Sequence, residues 1–172
     1  LEEYRHFVGD GVEQLASRVL PEEHRHETTI SKIVADVREE YRGRWLNNTR
    51  PYEGITDLLD ALTAQGVKMA IVTNKPDDST RAMAARLLPR WKFDAIIAAK
   101  PGLPKKPDPK GALEAARSLD LPPAAILYVG DSDIDMKTAN AAGMYAVGAL
   151  WGFRTADELT MNGASLLIRK PL

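Results

Sequence analysis

The hydrophobic rhythm of the chain changes near residue 50. Before that point apolar residues recur at helical spacing. Ile30, Ile33, Val34, Val37, Tyr41 and Trp45 form one stripe, which predicts a long amphipathic helix. A shorter helix is expected over Gly11–Leu20, stopped by Pro21. Leu1–Phe7 reads as the tail of another, followed by a Val8-Gly9-Asp10-Gly11 turn. From Arg50 onward, short continuous apolar runs alternate with helical segments. Val67–Val72, Asp94–Ala99, Ala125–Val129, Met144–Leu150 and Ala164–Ile168 read as strands. Between them, helices are expected from Ile55 to a stop at Gly66, then over Asp77–Leu88, Lys110–Leu119, Asp133–Ala142 and Thr155–Met161. Asp77, Asp78 or Ser79 is available to cap the second of these. Strands alternating with helices imply a parallel sheet with helical crossovers, so the fold class is α/β. The expected organisation is a helical module at residues 1–50 and a Rossmann-like core at residues 51–172.

Composition narrows the options. With 44% hydrophobic residues the 172-residue chain can bury a sizeable core. A net charge of -1 carries no electrostatic footprint for nucleic acid or an anionic membrane, and neither is expected as a partner. There is no cysteine, which excludes disulfide and thiol chemistry. No apolar run has membrane-spanning length and no signal peptide is visible, so a cytoplasmic monomer or homodimer is expected. The sequence opens at Leu1 without an initiator Met and closes at Leu172 just after a strand-like run, which reads as the two boundaries of a fragment.

Three strand ends carry polar groups of complementary kinds. Thr73 closes the first strand ahead of a helix start; a hydroxyl with free backbone N–H groups there suits an anion such as phosphate, although Thr, Asn and Lys are also ordinary turn residues. Lys106 is followed by Pro107-Asp108-Pro109, which stiffens the loop that presents its ammonium. Asp131, Asp133 and Asp135 alternate after the Ala125–Val129 strand. Mutual repulsion among three acids invites a hard divalent cation, while helix capping by Ser132 or Asp133 is the plainer explanation for one of them. Hydroxyl, ammonium and metal-binding carboxylates along one sheet edge suit phosphoryl transfer. With no histidine after His26, the nucleophile is expected to be a carboxylate or a metal-bound water. His24 and His26, beside Glu22, Glu23 and Glu27, read as a solvated charged patch.

Val72-Thr73-Asn74-Lys75, Lys106-Pro107-Asp108-Pro109 and Gly130-Asp131-Ser132-Asp133-Ile134-Asp135 resemble, in this order, motifs two, three and four of the haloacid dehalogenase superfamily. The likeness is greatest to its phosphoglycolate phosphatase branch, which also has an Ala-x-x-Ala-Gly helix, here Ala139–Gly143, and a segment similar to Phe7–Gly11. The resemblance implies a Mg²⁺-dependent phosphatase acting on a small phosphorylated metabolite; the alternatives are a phosphosugar mutase or phosphatase of the same fold, or a non-catalytic phosphate- or Mg²⁺-binding module. In it Thr73 bonds a phosphate oxygen with help from the Asn74 and Lys75 segment, and Lys106 neutralises the phosphate and an aspartyl nucleophile. Asp131 ligates Mg²⁺ and Asp135 supports the metal waters or Lys106, with Asp133 outside the family pattern. Residues 1–50 become a helical cap in which Arg5, His6 and Gly9 contact substrate. One element is missing: D-x-D-G-T, the family's nucleophile motif with the central strand that carries it, occurs nowhere in the 172 residues. The chain as it stands is therefore expected to be inactive.

Overall fold

A computed structural model describes Phe7 and residues 11–171. Arg5, His6 and Gly9, expected to contact substrate, lie outside the described residues. The chain divides into two compact units, Leu1–Arg50 and Pro51–Leu172.

The first unit is helical. Helix α1 (Val12–Val19) is followed by a 3₁₀ turn at Glu22–His24 and by α2 (Glu27–Arg44). Pro21 precedes the 3₁₀ turn, where its missing N–H removes no helical bond. An ion pair between Arg38 and Glu13, 2.7 Å, joins α2 to α1. Of the stripe on α2 only Val34 is buried, and Val37 and Tyr41 face solvent. His24 and His26 are exposed.

The second unit contains α3 (Ile55–Ala64), β1 (Ala70–Pro76), α4 (Asp77–Leu87), β2 (Ala95–Ala99) and α5 (Lys110–Leu119). A 3₁₀ turn at Pro123–Ala125 then leads into β3 (Leu127–Gly130), α6 (Asp133–Ala141), β4 (Tyr145–Ala149), α7 (Ala156–Met161) and β5 (Leu166–Ile168). All strand pairs are parallel, but they form two sheets, β1-β2 and β3-β4-β5, rather than one. Among the described residues β1 therefore pairs only with β2, and β3 only with β4. A shared core joins the sheets. Ala112 and Ala116 of α5 pack with Tyr128, Met136, Ala139, Ala146 and Leu159, and Val72 of β1 lies against the same cluster.

Two boundaries differ from the sequence reading for identifiable reasons. The first strand begins at Ala70 rather than Val67, because Val67 belongs to the end of α3: its N–H donates to the Leu62 carbonyl at 3.0 Å across a left-handed Gly66. The same strand runs on through Thr73-Asn74-Lys75-Pro76, expected as a turn, with its register against β2 shifting after Val72. Neither Asp77, Asp78 nor Ser79 caps α4; Pro76 occupies the N-cap position and Thr80 Oγ1 donates to its carbonyl at 2.8 Å.

Candidate active site

The site is assembled around Lys106. Its backbone is gripped by the Asn74 amide: Lys106 N–H donates to Asn74 Oδ1 at 2.7 Å, and Asn74 Nδ2 donates to the Lys106 carbonyl at 3.1 Å. This two-point lock fastens the proline-rich loop to the end of β1. The Lys106 ammonium then donates to Asp135 Oδ1 at 2.7 Å and to the Val72 carbonyl at 3.3 Å. The side chains are 15% and 9% exposed, so this is a largely desolvated, charge-assisted pair bridging the β1 and β3 halves of the unit. One strand position beyond Val72, Thr73 Oγ1 accepts the Lys75 N–H at 3.1 Å, which leaves its hydroxyl proton able to donate elsewhere. Lys75 is half-buried on β1. Thr73, Asn74, Leu103, Pro104, Lys106 and Asp108 line one shallow cleft.

The three acids do not converge. Strand β3 ends at Gly130 and α6 starts at Asp133, so the period-two alternation that would keep them on one face is broken between the first acid and the second. Asp135 sits at the third position of α6. Its Oδ2 accepts from Ser132 Oγ at 2.6 Å and Ser132 N–H at 3.2 Å, and its own N–H donates to Ser132 Oγ at 3.3 Å, completing a capping box. A side chain at Gly130 would overlap Asp135, so the absent Cβ lets this carboxylate press against the strand. Asp133 turns away to Lys137 Nζ, 3.1 Å, and to Arg154 Nε, 3.5 Å. Burial pushes its carboxyl up, but those two cations outweigh burial and hold it below the usual carboxylate range. Asp131 faces neither. Its Oδ2 accepts the Phe153 N–H at 3.0 Å and its carbonyl accepts the Arg154 N–H at 3.2 Å. Burial raises the Asp131 carboxyl above its ordinary range, the Asp135 charge adds to that, and the Phe153 N–H and Lys106 oppose it.

The structure thus joins Asn74, Lys106 and Asp135 in one chain of contacts, with Thr73 next to Asn74 on β1 in the same cleft and Asp131 just past the end of β3. Ser132 caps α6, as one of the two expected candidates, whereas Gly152, Phe153 and Arg154 are participants that the sequence reading missed. Their only signal was a Gly between two aromatics with an Arg beside it, just after an apolar run. A half-buried carboxylate at a strand end with a second acid nearby is the kind of oxygen donor Mg²⁺ accepts, since that ion takes one or two carboxylates and keeps several waters. Among the described residues no group of three or more His, Cys, Asp or Glu side chains is placed to hold a metal ion.

The chain matches haloacid dehalogenase-like hydrolases over residues 1–149. It is 30% identical over 171 residues to the phosphoglycolate phosphatase of Pseudomonas putida KT2440, covering 98% of this chain and 63% of that protein. With the phosphoglycolate phosphatase of Aquifex aeolicus it shares 32% identity over 151 residues, covering 86% of this chain and 67% of that one. The chain thus spans about 63% of the length of the Pseudomonas relative. A crystal structure from Lactobacillus delbrueckii subsp. bulgaricus, provisionally assigned as a phosphoglycolate phosphatase, superposes with a TM-score of 0.92 at 28% identity, covering 99% of this chain and 79% of that one. β-Phosphoglucomutase from Clostridium difficile shares the fold at a TM-score of 0.76 and 18% identity, covering 98% of this chain and 75% of its own.

Proposed function

Because this chain belongs to the haloacid dehalogenase-like hydrolases, we propose that it is the larger part of a Mg²⁺-dependent phosphomonoester hydrolase of the phosphoglycolate phosphatase kind. The observation that carries this reading is the desolvated Lys106 ammonium, held by Asp135 and the Val72 carbonyl directly beside Thr73. Fixed positive charge next to a hydroxyl donor is what a transferring phosphoryl group requires, because catalysis of that reaction is mostly positioning and charge neutralisation.

In this mechanism the first aspartate of D-x-D-G-T attacks phosphorus, the phosphorus–oxygen ester bond breaks, and the alcohol departs with a proton given by the second aspartate, which regains one from the water of the next step. Water then cleaves the resulting aspartyl-phosphate, releasing phosphate and restoring the carboxylate. Thr73 Oγ1 and the Asn74 backbone N–H bind phosphoryl oxygens. Lys106 balances the charge on phosphoryl group and nucleophile, and Asp135 keeps Lys106 in place. Asp131 would hold Mg²⁺ through a carboxylate oxygen, with Asp135 in support, and the ion would supply positive charge to the phosphoryl group.

The attacking aspartate lies outside these 172 residues in this reading. Support comes from the absence of D-x-D-G-T and from the unpaired edges of β1 and β3, between which a further strand would end alongside Lys106. Residues 1–50 act as the cap that selects a small phosphorylated metabolite, with Arg5, His6 and Gly9 as its contacts. No described helix is long and apolar enough to cross a membrane; a cytoplasmic location and a monomer or homodimer are part of the proposal. The test is a 2-phosphoglycolate hydrolysis assay of this chain and of the same protein carrying an upstream D-x-D-G-T strand. The longer form is expected to turn over with Mg²⁺ and to stop with EDTA, and the chain alone to be inactive. Chelator-resistant turnover, or equal activity of the two, would remove the proposal.

A further inference from the structure

The turn between β4 and α7 has no part in the mechanism above, yet it is bound to the acid segment at several points. Phe153 N–H donates to Asp131 Oδ2 at 3.0 Å, and Arg154 N–H to the Asp131 carbonyl at 3.2 Å. The Arg154 side chain, only 9% exposed, meets Asp133 Oδ1 at 3.5 Å. A Cβ at Gly152 would fall inside the Asp131 side chain. Gly152 is not among the positive-φ residues, so it is the closeness of Asp131, not the backbone angle, that a side chain there would violate.

We infer that Gly152-Phe153-Arg154 is a latch that fixes the orientation of Asp131, and that Asp133 anchors the latch through Arg154. A buried guanidinium needs an anionic partner, and Asp133 is that partner here, shared with Lys137 on its own helix. With Arg154 held, its backbone and that of Phe153 are fixed against Asp131. One Asp131 oxygen is then committed to an N–H, and the direction of the other is set before any cation arrives. A pre-oriented ligand loses less freedom on binding, and partners of this kind are worth roughly 10–100-fold in metal affinity. The arrangement gives the middle acid a purpose: Asp133 is a positioning residue that acts through Arg154, not a ligand. For the identity of what Asp131 binds, the inference rests on the cation reading above; the latch itself does not.

The test has two readouts on this chain. The first is amide hydrogen exchange, followed by NMR, at Phe153 and Arg154, with Val147 and Ala149 of β4 as internal controls. Arg154→Met and Asp133→Asn should each speed exchange at the two latch amides by about fivefold or more, with the β4 amides unmoved. Unchanged latch amides in Arg154→Met would overturn the inference, as would a uniform rise that includes β4, since that reports general destabilisation. The second readout is Mn²⁺ affinity by EPR, using the metal alone. About tenfold weaker binding is expected in Arg154→Met and Gly152→Ala, and the Asp133→Asn/Arg154→Met double variant should lose no more than the worse single variant. Full additivity would mean that Asp133 does not act through Arg154. If the unaltered chain binds no Mn²⁺, the cation reading fails, and the exchange data alone decide the latch.

Discussion

Lys106 is a structural residue as well as a chemical one. Removing it strands the Asp135 carboxylate, 9% exposed, with only the Ser132 donors. Breaking a buried pair in this way costs about 3–5 kcal/mol. Lys106→Ala is therefore expected to lower the denaturation midpoint markedly, and in the longer, active form also to cut kcat by about 10²–10³. A double-mutant cycle separates the two effects: Lys106→Ala/Asp135→Ala should be less destabilised than the sum of its singles, by about 0.5–3 kcal/mol. Additive losses would mean that the pair is not coupled. At this scale the sequence indicated a stiff loop presenting Lys106 ahead of Pro-Asp-Pro, and the structure fastens that loop to Asn74 and sets the ammonium on Asp135. At the three acids spacing alone could not separate the roles, although the family pattern already set Asp133 aside. Alternate spacing suggests a shared face, but Asp133 and Asp135 stand about 200° apart on a helix while Asp131 belongs to the strand end. Nor can spacing show that Arg154, 21 positions away from Asp133, returns to meet it.

At the level of elements, the junction of β3 and α6 is held by the Ser132 capping box. Ser132→Ala should destabilise the chain by about 1 kcal/mol, read from denaturant unfolding. A second junction gives a pH signature. Asp94, just ahead of β2, exchanges hydrogen bonds with Met69 at 3.1 and 2.7 Å, and meets Lys92 at 3.0 Å. The bond from Lys92, and then the Met69 N–H, hold the Asp94 carboxyl below its usual range. A lowered folded-state value means that this stabilisation is present above about pH 4 and disappears as pH falls through the depressed value. Asp94→Asn should therefore flatten the acid limb of the stability profile without changing its alkaline limb. Helix α5 runs over the residues its pattern indicates, Lys110–Leu119, because its apolar face is one uninterrupted alanine and leucine surface against the core. The start of β1 was hidden because Val67, β-branched and next to a glycine, looks like strand in composition but is consumed by the α3 terminus.

For the whole molecule, the two units differ in how much they bury. Among the described residues before Arg50 only Ala16 and Val34 are buried hydrophobics, whereas the rest of the core lies after Pro51. Residues 51–172 alone should keep a cooperative thermal transition, and residues 1–50 alone should show only weak, non-cooperative helicity by circular dichroism. A broad transition for residues 51–172 would contradict this. The α/β alternation was readable from the chain because period two and period 3.6 are distinct signals, but strand partnership is not written in either period. The division into β1-β2 and β3-β4-β5 is nonetheless what a parallel sheet leaves when the central strand that carries the nucleophile motif is missing, as the absence of that motif implies. The divided sheet also bears on how copies of the molecule meet. Two different strands, β1 and β3, each offer an open edge, and Leu127 and Val129 beside the second are 68% and 50% exposed. While the strand proposed to lie between them is missing, unlike edges that pair between copies do not close on a two-fold axis; each new contact leaves another edge open, so these 172 residues alone would add to a growing row, and the longer form would not. In the test tube that row would appear as light scattering rising steeply with protein concentration, long before heat unfolds either unit.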